Sequence, residues 1–493
     1  MNRRIFVLIY LCITHSYLYS QTLPKEDAVI NYRLVGFSYP EKQEVGVYKI
    51  QIAAGNYYDE GSFKKNIILS LDSKQNRIIG EVPAFGKQYT WRVVYQFLGS
   101  HSKKSELWHF STGSISRVDT STTRLKILNN TGKYKNAYVF LDGSRTLYDM
   151  NGSPVWFLPA IDGTEVRDMR LTSWGTITFL NNDKICEINY NGDILWTGPN
   201  SGVVSGDTSE HYHHEFTRLS NGHYMVLGNE KLSPPVDVAA DSTAITDAIP
   251  YGTIIEYDGM GNLIWSWKAF PYFKESDLKY YKSNGREKDL RRNNAINVHP
   301  NAFYFDERNQ VVYIGFRNIS RILKIKYPEG NVIETYGEVY KPGKPATGNT
   351  LFCGQHAMSV SQNGNLLLFN NNSCNEYALP ELLLLHSDPS APYGVNKVWE
   401  YTCVIDSSNE TKQSQNPFSS NGDVIELPDQ SLFAYMSGGA YSRLFIVNQD
   451  KEILWSASAE EWDVNEKKWR GLLQYRASII SSTTELEHLV WGR

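Results

Sequence analysis

Six copies of one hairpin phrase, a chain rich in aromatic residues and turn dipeptides, and a lack of long 3.6-residue periodicity predict an all-β protein. The expected architecture is a six-bladed β-propeller preceded by a small β-sandwich. Tyr, Trp and Phe supply 13% of the 493 residues, and Asn-Gly and Asp-Gly pairs separate alternating apolar runs, which is the pattern of hairpins. The phrase is a short apolar strand, a Gly-containing turn, then an apolar pair and Trp. It spans Leu147 to Trp156, Glu187 to Trp196, Ile255 to Trp265 and Phe445 to Trp455, with weaker copies over Lys324 to Glu334 and before Val398 to Tyr401. Closing six such units into a ring leaves few bare strand edges. A stacked β-solenoid is the alternative, and the irregular spacing and long insertions fit it poorly. Glu460 to Gly471 is the best helix candidate, and it is short.

From the start, residues 1–20 read as a signal peptide. Arg3 and Arg4 precede an apolar run, Ile5 to Ile13, too short to cross a bilayer. Bulky Leu11 before Cys12 argues against a lipid anchor. No other run nears ~18 apolar residues, so no membrane span is expected and the mature chain should be periplasmic or secreted. Loss of Arg3 and Arg4, with no acid in the leader, moves the formal charge from −4 to −6. That balance argues against a nucleic-acid surface.

Residues 23–115 form short alternating strands, and Tyr89 to Gln96 followed by Phe110 to Gly113 resembles the end of a fibronectin type III sandwich. This unit is also the expected homodimer surface. Ser- and Thr-rich residues 114–123 serve as linker, and the repeats fill 125–493. Outside the leader, Cys186, Cys353, Cys374 and Cys403 include no CxxC pair, which argues against structural zinc. If Asn363-Gly364 makes a two-residue turn, Cys353 faces Cys374, and a disulfide is predicted there. Two buried thiols are the alternative.

A second recurring hairpin carries the chemistry. Its rising strand places His214 eight residues before Gly222, and His356 eight before Gly364. His299 opens a third copy that returns through Arg317. The same register gives Arg167, Gly422 and Arg476 in the remaining blades. Corresponding positions of successive blades lie on a ring about the axis, so the predicted ring reads Arg, His, His, His, Gly, Arg. Two-residue turns would set His214 opposite Asn229 and His356 opposite Asn371, with Arg317 beside His299. Strand alternation puts His213 on the face away from His214. Such a mouth suits an oxyanion, because Arg offers a planar donor fork and His can donate, accept or attack. A structural hydrogen-bonding role is the bland alternative. Zinc on three imidazoles is the sharper one, opposed by the cation Arg317, and no metal is expected.

The segments His213-His214-Glu215, Val298-His299-Pro300-Asn301 with Phe316-Arg317-Asn318, and Gly354-Gln355-His356 resemble the motifs of bacterial arylsulfate sulfotransferases. That family transfers a sulfuryl group from an aryl sulfate to a phenol without the nucleotide sulfate donor, by a ping-pong route through a sulfohistidine. The resemblance implies a propeller behind a small β-domain and no cofactor. It implies His356 as nucleophile, with His214, His299 and Arg317 holding the sulfate and protonating the departing phenolate. His213, Asn301, Asn318, Arg167 and Arg476 are the expected substrate-binding residues around them. The family commonly shows Asp after the motif His, where this chain has Glu215 and Ala357, so an orienting carboxylate is missing beside His356. The insertions Pro234–Pro250 and Pro271–Arg292 are expected to shape the acceptor pocket. Two other classes share the basic ring: an exported propeller that binds anionic ligands without turnover, and a propeller polysaccharide lyase.

Overall fold

The computed structural model describes residues 22–99, 101–160, 166–182, 184–232, 249–273, 277, 280–283, 286–289, 298–337, 351–374, 378–406, 421–438 and 441–492. The expected leader, residues 1–20, most of the insertion at 234–250 and part of that at 271–292 lie outside the described residues. The chain divides into two compact units, at Gly113/Ser114. Both are β-built, and the described residues hold two α-helices, Glu60–Lys65 and Thr483–Trp491.

The first unit pairs strands Ala28–Ile30, Trp108–Thr112, Gln88–Phe97, Val45–Ala54 and Ile67–Ser73 in that spatial order, with Ser102–Lys104 also on Gln88–Phe97. A second sheet joins Leu34–Ser38 to Arg77–Glu81. Alternation buries Ile50, Ile52, Trp91 and Val93 against Phe37 and Phe110, with the Phe37 and Trp91 rings 5.0 Å apart.

The described residues of the second unit form six antiparallel sheets of four or more strands in succession, besides the two-stranded ribbon Tyr280–Ser283 with Arg286–Asp289. Sheet I holds Tyr138–Leu141, Thr146–Asp149 and Pro154–Phe157, sheet II starts at Val166–Leu171, and sheet III at His211–Arg218. Sheets IV, V and VI start at Pro300–Asp306, Ala357–Val360 and Asp423–Glu426. The first strand of sheet I comes from the far end of the chain, Ala477–Ile480, which pairs with Tyr138–Leu141. Reciprocally, Thr123–Asn130 adds itself to sheet VI along Ile453–Asp463.

The Trp phrase is the hairpin of the outer two strands. Leu147 pairs with Trp156, Glu187 with Trp196, Glu256 with Trp265 and Ile446 with Trp455, each followed by a register shift. The indole N–H then reaches a turn of the next sheet. Trp156 donates to Tyr190 (2.7 Å), Trp265 to Pro328 (2.8 Å), Trp399 to Gln449 (3.0 Å), and Trp455 of sheet VI returns to Met150 of sheet I (2.9 Å). A buried indole wants both apolar cover and one acceptor, and the repeat supplies both.

Glu460 to Gly471, read above as a helix, is a hairpin. Glu460 pairs with Gly471 and Asp463 with Lys468, and Trp462 stands 5.6 Å from Trp469. A seven-residue aromatic spacing suits two helical turns and a short hairpin equally, and cross-strand pairing decides it here. The true helix, Thr483–Trp491, has a capping box from Ser482 and Glu485, a signal present in the sequence.

Candidate active site

The ring positions fall where the inner strands begin. His299, His356, Gly422 and Arg476 immediately precede Pro300, Ala357, Asp423 and Ala477, the first residues of their strands. In sheets II and III the strand is bulged instead, with register shifts between Arg167 and Arg170 and between Tyr212 and Phe216. Asp168, His214 and His299 take φ of 55°, 62° and 58°. That left-handed conformation costs a non-glycine residue about 1 kcal/mol or more and gathers at functional sites.

The two Asn-Gly turns are one residue longer than expected. Leu219 N–H donates to His223 and Ser361 N–H to Asn365, with Gly222 and Gly364 at φ 87° and 78°, the three-residue hairpin with a glycine bulge. With the bulge between Tyr212 and Phe216 added, Asn229 pairs with His211 rather than His214, and His356 N–H bonds Phe369 (2.9 Å) rather than meeting Asn371. Arg317 N–H does meet the His299 carbonyl (2.9 Å). The Cys353–Cys374 disulfide forms with Cα atoms 5.8 Å apart, in the loops beyond the ladder. Cys186 and Cys403 are buried thiols.

A cavity of about 580 Å³ opens over the ring and is lined by Arg167, His214, His299, Arg317, His356, Asn421 and Tyr475 among others. The His214 ring lies 5.0 Å from that of His299 and 5.9 Å from that of His356. Burial, then the other histidines and Arg476, pushes His214 well below the usual imidazole range. Burial and then Arg317 bring His299 down to about 3. His356 is also driven well down, by burial first and Arg476 second. Three neutral imidazoles beside guanidinium groups are the result.

His356 has one tautomer available. Its Nδ1–H donates to the carbonyl of Gly422 at 2.9 Å, so the lone pair is on Nε2. Gly422 sits at φ 111° where a Cβ would overlap the Phe369 ring, and the amide of buried Asn371 holds the preceding carbonyl, Asn421, at 2.8 Å. A main-chain oxygen thus stands where an orienting carboxylate was missing beside Ala357. His213 backs His214 through an Nδ1–Nδ1 hydrogen bond of 2.6 Å, and burial holds it down to about 4.

Directly below lies a layer of opposite character. Arg476, 2% exposed, donates to Glu215 (2.6 Å), Asp168 (3.2 Å) and the carbonyls of Asn301 (3.2 Å) and His356 (3.4 Å). Arg170 joins Asp168 (2.6 Å), Glu215 (3.2 Å) and Asp423 (3.2 Å). Two guanidinium groups thereby tie together the inner strands of all six sheets.

Of the expected residues, His214, His299, His356, Arg317 and Arg167 come together on the cavity. Arg476, Asn301, Asn318 and His213 are not among its lining residues. Arg476 sits in the ionic layer, and the Asn301 amide donates to Gln355 (2.8 Å). Asn318 accepts from the Arg317 guanidinium (3.1 Å). Tyr475, Asn421, Asp142 and the pair Arg117 and Arg145 line the cavity without having been anticipated. Asp142 accepts from the N–H groups of Tyr475 (3.1 Å) and Arg476 (2.8 Å), and burial still pushes its carboxyl up to about 7. Its place just after strand Tyr138–Leu141 was the signal available. Among the described residues the group spaced to share a metal ion is Glu26, Asp27 and His109 in the first unit, not the three cavity histidines. No helix of the described residues is long and apolar enough to cross a membrane.

No curated protein matches the chain significantly. Among solved structures, a Bacteroides caccae protein of unknown function aligns at 12% identity and TM-score 0.36, covering 73% of this chain and 100% of that one. A catalytically inactive virginiamycin B lyase of Staphylococcus aureus, with quinupristin, aligns at 11% identity and TM-score 0.32, covering 69% and 95%. A quinonprotein alcohol dehydrogenase-like protein of Bacteroides thetaiotaomicron gives 10%, 0.29, 89% and 98%. Similarity at that level carries no argument. The model of the family described as Arylsulfotransferase (ASST), by contrast, matches residues 117–413, a span that contains His214, His299, Arg317 and His356. The chain belongs to the arylsulfotransferase family.

Proposed function

We propose that the protein moves a sulfuryl group from an aryl sulfate to a phenol in two displacements through a sulfohistidine at His356. The observation that carries this reading is the tautomer of His356, whose Nδ1–H is engaged by Gly422 while the imidazole borders a cavity with two more histidines and Arg317. Nε2 attacks sulfur, the S–O bond to the aryl oxygen breaks, and an imidazolium formed at His214 or His299 gives its proton to the departing phenolate. The negative charge of the bound ester favours that protonation, which the empty cavity disfavours. An incoming phenol returns its proton to the same imidazole as its oxygen takes the group from Nε2. Arg317 and Arg167 hold the sulfuryl oxygens, since charge stabilisation supplies most of the rate in such loose displacements. In this reading His213 backs His214, while Asn301, Asn318 and Arg476 fix the strands and the guanidinium that meet the substrate.

The six sheets are read as blades of a propeller, with the first unit as a fibronectin-like sandwich serving dimerisation, and the chain as exported after cleavage of residues 1–20. The disulfide agrees with an oxidising compartment. The test is incubation with 4-nitrophenyl sulfate, with and without phenol. Phenol-dependent nitrophenol release and a labile adduct of sulfuryl mass on the His356 peptide are expected. Folded protein with neither release nor adduct sinks the proposal and favours a binding role.

A further inference from the structure

We infer that Arg117 and Arg145 form a second anion subsite on the cavity wall, and that the aryl substrates carry a carboxylate apart from the group in transfer. The inference rests on the transferase reading above and names its substrate class, phenols with an acidic substituent and their sulfate esters. Both arginines line the same cavity as His214, His299 and His356. Burial and then the charge of Arg117 lower Arg145 below the usual guanidinium range, so the two cations are neighbours. They stand apart from the histidines, on which the chief cationic influences are Arg317 and Arg476. The turn after Tyr138–Leu141 places them. The Arg117 guanidinium donates to the Gly143 carbonyl, and Arg145 N–H donates to the Asp142 carbonyl at 3.2 Å.

Positive charge on the lining exceeds what one sulfate ester needs. The guanidinium groups of Arg117, Arg145, Arg167 and Arg317 border the cavity against the carboxyls of Asp142 and Glu461. Asp142 offsets little of that charge. Its carboxyl already accepts the N–H groups of Asp168 (3.3 Å), Tyr475 (3.1 Å) and Arg476 (2.8 Å), and burial pushes it up to about 7. Glu461 is exposed to solvent, where its pull is screened. The aryl sulfate brings one negative charge, met by Arg317 and Arg167 in the proposed mechanism. Arg117 and Arg145 add a pair of like charges that the transferred group does not call for, and such a pair favours a shared anion. The planar guanidinium fork matches a carboxylate. Apolar cover lies alongside. Leu472 and Leu473 border the cavity, and Leu473 is 84% exposed. Its carbonyl comes so close to Gly143 that a Cβ there would collide with it. The leucines and the arginines therefore border neighbouring parts of the wall, which suits a phenol ring with an acidic arm.

The experiment compares 4-hydroxyphenylpropionate with its methyl ester as acceptors, with 4-nitrophenyl sulfate as donor. In wild type, kcat/KM for the carboxylate is expected to exceed that for the ester about tenfold or more. The ratio should fall toward one when Arg117→Gln and Arg145→Gln are combined. Because the Arg117 side chain also ties its segment to Gly143, Arg145→Gln alone carries the comparison if the double variant unfolds. A wild-type ratio near one or below, or a preference that the folded variants keep, overturns the inference and leaves the transferase reading standing. If wild type transfers neither to phenol nor to these acceptors, the transferase reading fails, and calorimetric binding of the two compounds decides for the subsite. Tighter binding of the carboxylate that the variants lose supports it, and equal binding or none overturns it.

Discussion

Two layers of the second unit share the same six inner strands and differ in almost everything else. The upper layer consists of His214, His299 and His356 around a cavity, held neutral by burial and by neighbouring cations. The lower layer consists of Asp168, Glu215 and Asp423 clasped by Arg170 and Arg476. The lower groups are paired within the protein; the upper ones are arranged for something brought from outside. Strands fixed from below can hold imidazoles in left-handed bulges above.

Replacing His356 by Asn should break the upper layer alone. Transfer is expected to fall by roughly a thousandfold or more, with the thermal midpoint little changed, as steady-state assays and calorimetry would show. Removing Arg476 should break the lower layer. Arg476→Met leaves three buried carboxylates to share the single cation Arg170, and about 3–5 kcal/mol of stability is expected to go, read by urea unfolding. Equal stability would mean the layer is not what fixes the strands. Reducing Cys353–Cys374 acts on the flanks of the His356 strand. It closes a 21-residue separation, so Cys353→Ser with Cys374→Ser should cost about 2–4 kcal/mol.

Acid should separate the layers more gently. The folded protein keeps His213 and His299 neutral, at about 4 and about 3, whereas the unfolded chain protonates imidazole near 6.5. Below that pH the unfolded state binds more protons, so stability is full above about 6.5 and is lost as the pH drops toward about 3. Urea midpoints should fall through this window, and His213→Gln with His299→Gln should flatten the slope. An unchanged slope would place the acid sensitivity elsewhere.

The upper layer was largely legible in the sequence, because two histidines recur at one offset from a turn glycine, a third opens a matching hairpin, and that offset survives a one-residue error in turn length. The partner residues did not survive it: Asn371 moved by the extra residue of the turn, and Asn229 by that residue and the bulge between Tyr212 and Phe216 together. The lower layer left a trace that went unread, because Asp168, Glu215 and Asp423 each directly follow a ring position, Arg167, His214 and Gly422, whereas Arg170 shares no such offset and acquires meaning only when the strands stand side by side. Tyr475 escaped for a related reason, lying far from every histidine motif in the chain. The orienting group for His356 could not be read at all, since a carbonyl oxygen belongs to every residue. Only the glycine that exposes it leaves a trace.

The closing strand Ala477–Ile480 has a consequence for when the protein can work. Tyr475 and Arg476 arrive with that strand, and they complete both the cavity and the clasp beneath it. The histidines, by contrast, are all present once residue 356 has emerged. A nascent or clipped chain that stops before residue 475 therefore owns its three cavity histidines but not the floor that positions them. On the proposed reading, activity reports on completed synthesis, and a partial product is silent by construction.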